Sequence, residues 1–360
     1  MSSESKRYQV GIGAFIVLLG LATAYKRVWK SEDDSGGSTH RTNNGSGYNG
    51  TTSGPKTIAI ITPAASSEFN SELIAGVKDE VELLGWNHII YLSPSGDADD
   101  TDLEALAMQA LAKKPDAISV CGMARSELEA VVKSANRKGI PIFVHNQVTP
   151  VSGEVQAYIG YDEFDAGRLV GNQAMAVLKQ KAGKNSSPAQ VAIIDGSPGE
   201  HTTRRALGFR EALKYSETTE VVEEKVAHWS KSEAEAVSSE ILNRYPRLKL
   251  IYACSDTMAT GAAHAAWRAK RDVICLGFGG THDGIFSVKG HELNATVAVE
   301  PRRMGKRIVD TMMDYFGNTN AVPAGHVMKT DITLINDQNV DSFMGGFDAA
   351  GRDPGADVKP

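Results

Sequence analysis

The chain has 360 residues, 41 % of them hydrophobic and 23 % charged, with a formal net charge of −6. That length supports one or two domains with sizeable cores, and an acidic balance without a dense Lys/Arg patch argues against a nucleic-acid partner. The three cysteines, Cys121, Cys254 and Cys275, all fall in or beside apolar runs. An odd count without metal spacing argues against a disulfide framework or zinc site, and they read as buried free thiols.

Lys6-Arg7 precede an apolar run, Val10 to Tyr25, and a basic cluster from Lys26 to Lys30 follows it. A spanning helix takes about 20 residues and a signal core about 7–15; this run lies between. Ala22-Thr23-Ala24 fits a cleavage pattern, whereas the basic cluster behind it disfavours export of that flank. Residues 1–30 therefore read as an N-terminal anchor or signal segment, the uncleaved anchor preferred, with the body outside the cytoplasm. Residues 31–55 are Ser, Gly, Asn and Thr with almost no apolar content, which predicts a flexible stalk. Asn44-Gly45-Ser46 and Asn49-Gly50-Thr51 within it are glycosylation sequons, meaningful only on a eukaryotic secretory route.

From Lys56 short apolar runs alternate with helical periodicity. Strands are predicted at 57–61, 88–92, 116–120 and 140–144, with helices at 68–84, 102–113 and 127–138 between them. Phe69, Leu73, Val77, Val81 and Leu84 share one face of the first helix. A second series is expected to open at Ala157–Gly160. It continues with helix 165–181, strand 191–194, helix 203–214, strand 221–227 and helix 232–245. Strand 250–254, a helix capped by Ser255 or Asp256, and strand 273–276 then form a βαβ unit. Strand 295–299, a helix from Pro301 to about Tyr315, strand 331–335 and a disordered tail over 344–360 complete the chain. Repeated βα units make a mostly parallel sheet covered on both faces. Two such series read as two α/β lobes with a cleft between them, where small-molecule sites are favoured. Ligands bind at the carboxyl ends of such strands, which places Ser255, Asp256 and the Gly279 loop at the site.

Several segments in order carry a resemblance: IAIITPAASSEFNSELIAG at 58–76, residues 115–144, YIGYDEFDAGRLVG at 158–171, residues 192–213, 251–266 and 276–284, and ATVAVEPRRMG at 295–305. Together they resemble type I periplasmic binding proteins of the ribose-binding group, over roughly Lys56 to Phe343. The resemblance implies two Rossmann-like, flavodoxin-like lobes with parallel sheets joined by a three-strand hinge. The first lobe would be 56–160 with 300–328, and the second 161–299 with 329–343.

It also implies binding positions. Ser67, Phe69 and Asn70 fall where the family places an Asn and two aromatics. Asn146 and Gln147 stand for an Asp-Arg pair. The family's ligand arginine falls at or beside Thr203 and Arg204, with Glu200 and His201 close by. Trp229 matches an aromatic that stacks on the sugar, Ser255-Asp256 an Asn-Asp pair, Gly279 an acidic residue and Val299 a hinge-side Gln. These departures remove formal charge and bidentate hydroxyl partners, and a buried hydroxyl without a partner costs about 1–3 kcal/mol. A less hydroxylated, amidated or neutral ligand fits better than ribose.

Plainer roles compete. Phe69 fits core packing, Asp256 a helix cap, Arg204 and Arg205 a solvated helix start, and His145 and His282 structural histidines. The first strand is followed by Thr62-Pro63-Ala64-Ala65-Ser66, with no G-x-G-x-x-G to receive a dinucleotide, and no phosphate loop, G-x-S-x-G elbow or H-E-x-x-H helix is present, so the chain is expected to be no enzyme and to need no cofactor or metal. The expected function is a monomeric solute-binding protein, held to the membrane by its N-terminal segment, that presents a sugar-like ligand to an ABC transporter permease. A membrane sensor is the signalling alternative. A transcription regulator of the lactose-repressor type would need a DNA-binding helix-turn-helix before residue 56, where the apolar run and stalk lie instead.

Overall fold

The computed structural model describes residues 54–63, 67–92, 103–181 and 188–345; the expected anchor, nearly all of the stalk and most of the tail lie outside them. Among the described residues no helix is long and apolar enough to cross a membrane.

The strands are β1 (Thr57–Thr62), β2 (Asn87–Leu92), β3 (Ala117–Val120), β4 (Ile142–His145), β5 (Ala157–Gly160), β6 (Ala189–Asp195), β7 (Thr219–Val226), β8 (Leu248–Ala253), β9 (Ile274–Leu276), β10 (Ala295–Ala298), β11 (His326–Lys329) and β12 (Thr333–Asn336). The helices are α1 (Glu68–Leu84), α2 (Leu103–Ala112), α3 (Arg125–Lys138), α4 (Glu163–Lys181), α5 (Glu200–Leu213), α6 (Lys231–Arg244), α7 (Asp256–Arg268), α8 (His282–Lys289), α9 (Pro301–Gly317) and α10 (Val340–Gly345).

Two six-stranded sheets result, ordered β11-β5-β4-β3-β1-β2 and β12-β10-β9-β8-β6-β7. Every pairing is parallel except that of β10 with β12. The fold is α/β and doubly wound, as expected. In β1 the pleat sends Ile58 and Ile60 to one face, with Leu73 and Val77 of α1, and Ala59 and Ile61 to the other, with Leu111 and Leu128. Burial on both faces is why the strands read as unbroken apolar runs. The chain passes between the sheets three times, at Tyr161-Asp162, at Val299-Glu300 and over residues 330–332.

Several details differ from the sequence reading. Ala157–Gly160 does not open the second series: it lies between β4 and β11 and belongs to the first sheet. The last strand runs antiparallel, because its short link from β11 leaves no room for a crossover. Strand β11 carries exposed residues and so lacks the apolar signature of a strand. Helices α8 and α10 are only two turns or less, too short for periodicity to show, and α10 takes in Met344 and Gly345 of the expected tail.

Candidate functional site

A cavity of about 480 Å³ is lined by loops that follow strands of both sheets. From the first sheet come Ser67, Phe69 and Asn70 after β1, Gly122–Ala124 after β3, and Asn146-Gln147 after β4. From the second come residues 197–202 after β6, 228–231 after β7, 255–257 after β8 and Phe278, Gly279 and Thr281 after β9. All are carboxyl ends of parallel strands, where helix starts and open turns leave polar groups unused.

Arg205 anchors the second-sheet side. It is 6 % exposed, and its guanidinium donates to Glu163 Oε2 at 2.6 Å and Oε1 at 3.1 Å, to Tyr161 Oη at 2.7 Å and to the Cys254 carbonyl at 2.8 Å. Its Cζ lies 4.0 Å from the Phe278 ring centroid and 5.7 Å from that of Trp229, within cation–π reach. Burial pushes the Glu163 carboxyl up, but the charges and hydrogen bonds of Arg205 and His201 outweigh it and hold it below the ordinary range. His201 Nδ1 pairs with the same carboxylate.

Trp229 is half-buried against a bare backbone: a Cβ on Gly196 would lie 2.2 Å from its ring. His228 and Trp229 both have left-handed backbone angles, φ 44° and 63°, which non-glycine residues adopt only under constraint. Asn146 shares that strain at φ 58°. The Asn146 Oδ1 and Ser197 Oγ atoms are buried without a hydrogen-bond partner. Unpaired polar atoms on cavity-lining residues are groups that a ligand can satisfy. Behind them His145 is fully buried, its Nδ1 2.8 Å from Ser119 Oγ. Burial, helped by the charge of His201, pushes this imidazole down to about 3 and keeps it neutral.

Asp256 is structural in its contacts. Ser255 caps α7, its Oγ accepting from the Met258 N–H at 3.2 Å. The Asp256 carboxylate instead accepts from Thr296 Oγ1 at 2.6 Å and from the Thr281 N–H at 3.0 Å, tying three elements together. Burial pushes it up to about 6, while hydrogen bonds from Thr296, Thr281 and Gly280 pull it back.

Of the residues singled out in the sequence, Ser67, Phe69, Asn70, Asn146, Gln147, Trp229, Ser255, Asp256 and Gly279 line this one cavity, as do Glu200 and His201. Thr203, Arg204 and Val299 do not. Helix α5 starts at Glu200, and its buried face is Thr202, Arg205, Ala206, Phe209 and Leu213. Thr203 is thereby turned to solvent and Arg204 to Asp162, 2.9 Å away, while Thr202 and Arg205 face the cavity. Arg205 is thus no solvated helix start. Val299 is 1 % exposed at a crossing and borders a separate cavity of about 40 Å³. The sequence reading also passed over Glu163, Ser197, Phe278 and the turn 122–124. The rule that sites gather after parallel strands could have found Ser197, Phe278 and the turn, whereas nothing local marks Glu163.

The sequence model of the periplasmic binding protein domain matches residues 58–319. The ribose import binding protein of Bacillus subtilis is 28 % identical over 260 residues, which cover 72 % of this chain and 81 % of that protein. The D-apiose import binding protein of Paraburkholderia graminis is 25 % identical over 291 residues, 81 % of this chain and 90 % of that one. A periplasmic solute-binding protein of an Actinobacillus succinogenes ABC transporter, solved with D-allose, superposes with TM-score 0.71 at 21 % identity, over 80 % of this chain and 100 % of its own. A Bacillus halodurans solute-binding protein with myo-inositol gives TM-score 0.71 at 22 % identity, over 81 % and 98 %.

Proposed function

Because the chain belongs to the periplasmic binding protein domain family, we propose that it is an extracytoplasmic solute-binding protein. It captures a small sugar or sugar-like ligand in the cavity between the sheets and hands it to an ABC importer, without chemistry. The observation that carries this is the cavity itself: about 480 Å³, lined from both sheets, with the half-buried Trp229 beside the unpaired Asn146 Oδ1 and Ser197 Oγ. A ligand that bridges the two layers makes its full set of contacts only when they are close, so its differential contacts set the equilibrium between open and closed forms.

The lobes in this reading are 56–160 with 300–328 and 161–299 with 329–343. Ser67, Phe69, Asn70, Asn146, Gln147, Trp229, Ser255 and Gly279 meet the ligand together with Thr202 and Arg205, and Asp256 holds the Gly279 loop in place. The N-terminal run tethers a monomer to the membrane beside its permease. The ligand is neutral and sparsely hydroxylated, since Asp256 is engaged by Thr281 and Thr296 and Arg205 by Glu163. Native mass spectrometry of the full chain should find a small neutral solute that leaves chemically unchanged. Turnover of that solute would overturn the reading, and micromolar ribose binding by calorimetry would overturn the ligand class.

A further inference from the structure

Beside the cavity, residues that line it alternate with residues that clasp the two layers together. Ser67, Phe69 and Asn70 line it; Glu68 and Glu72, one turn apart on α1, reach across to the start of α8. Glu68 Oε1 accepts from the Asp283 N–H at 3.0 Å. Glu72 Oε1 accepts from the His282 N–H at 3.2 Å and pairs with Nδ1 of the same imidazole. On the far side Gly279 and Thr281 line the cavity immediately before His282. We propose that this clasp is a proton-operated latch: with His282 charged and Glu68 neutral it holds α1 to α8 and keeps the cavity closed, and loss of those protons releases it.

The electrostatics run in one direction. Burial pushes the Glu68 carboxyl up to about 7, the charges of Asp283 and Glu72 adding to it and the Asp283 N–H and Thr281 hydroxyl opposing it. The hydrogen bond to Glu72 raises the His282 imidazole; burial opposes that, the charges of Glu72 and Glu68 add to it, and that of Arg302 opposes it. Arg302, on α9, is itself held by Asp79 of α1 at 2.5 Å. Both groups bind protons more tightly when clasped. The clasp therefore gains stability below their ordinary values and loses it as pH rises through the raised ones. Once Glu68 has ionised, above about 7, and the raised His282 imidazole has also lost its proton, the Glu68 charge faces the neighbouring Glu72 and Asp283 side chains without the imidazolium that offset it.

The consequence for ligand release rests on the solute-binding reading, but the test needs no ligand. Spin labels would be placed on the full chain at Leu83→Cys on α1 and Trp267→Cys on α7, sites 76 % and 79 % exposed; the three native thiols are buried. Pulsed electron resonance at about pH 5.5 and about pH 8.5, either side of imidazole titration, should show a longer distance at the higher pH. His282→Gln and Glu68→Gln, both at partly exposed positions, should each shrink that shift. An unchanged distance in the parent, or a shift that survives intact in both variants, overturns the latch. Since no solute is added, a failed ligand assignment leaves this outcome untouched.

Discussion

Four of the five N–H donors of Arg205 are taken up by Glu163, Tyr161 and the Cys254 carbonyl, which leaves one on Nη1 for a ligand. The charge is locked in place rather than offered. Glu163→Gln removes its counter-charge in a buried setting, where breaking a pair costs about 3–5 kcal/mol; urea unfolding of the full chain should show a loss of that size. Acid should mimic it. The Glu163 carboxyl sits below its ordinary 4.5 in the folded chain, so its contribution is present above 4.5 and is lost as pH falls through the depressed value. Melting temperature should fall on acidification less steeply in Glu163→Gln than in the parent. Trp229→Ala removes an aromatic face that is half-buried at the edge of the core. It should weaken solute binding by about tenfold or more with an unchanged far-ultraviolet circular dichroism spectrum, and unchanged affinity would remove Trp229 from the site.

Helices α4 and α5 bring Glu163 to Arg205, and they can do so because glycines let their backbones nearly touch. A Cβ on Gly208 would lie 2.0 Å from the Phe164 carbonyl oxygen, and one on Gly167 2.1 Å from that of Arg205. Gly208→Ala must push the helices apart, at a cost of about 1–3 kcal/mol for overpacking. It should also loosen the Arg205 guanidinium, so calorimetry should show weaker solute binding as well as a lower melting temperature. The helix α5 face was legible in the sequence: Thr202, Arg205, Ala206, Phe209 and Leu213 follow helical spacing once the start is placed at Glu200. The resemblance, matched to within one residue, put Thr203 and Arg204 forward instead. A cap at Ser255 or Asp256 was legible for the same reason, being local chemistry, and the structure gives it to Ser255; Ser255→Ala should cost about 1 kcal/mol in chemical denaturation.

At the scale of the molecule, two sheets share one cavity across three chain crossings, so solute binding and stability are linked. A solute at about one hundred times its dissociation constant stabilises the chain by about 2.7 kcal/mol. A thermal-shift screen of neutral deoxysugars, methyl glycosides and free pentoses should rank ribose among the weak binders. The sequence by itself determined the alternation of strand and helix, the doubly wound class, and the placing of Ser255 and Gly279 at strand ends, because these follow from periodicity and local capping; Asn146 and Trp229 came forward through the family resemblance. Only the tertiary structure decided that Ala157–Gly160 pairs between β4 and β11, that Asp256 ties Thr281 to Thr296, that Glu163 neutralises Arg205, and that Glu68 and Glu72 meet His282. Those partners lie tens to hundreds of residues apart, and no local propensity records which distant charge a buried side chain will face.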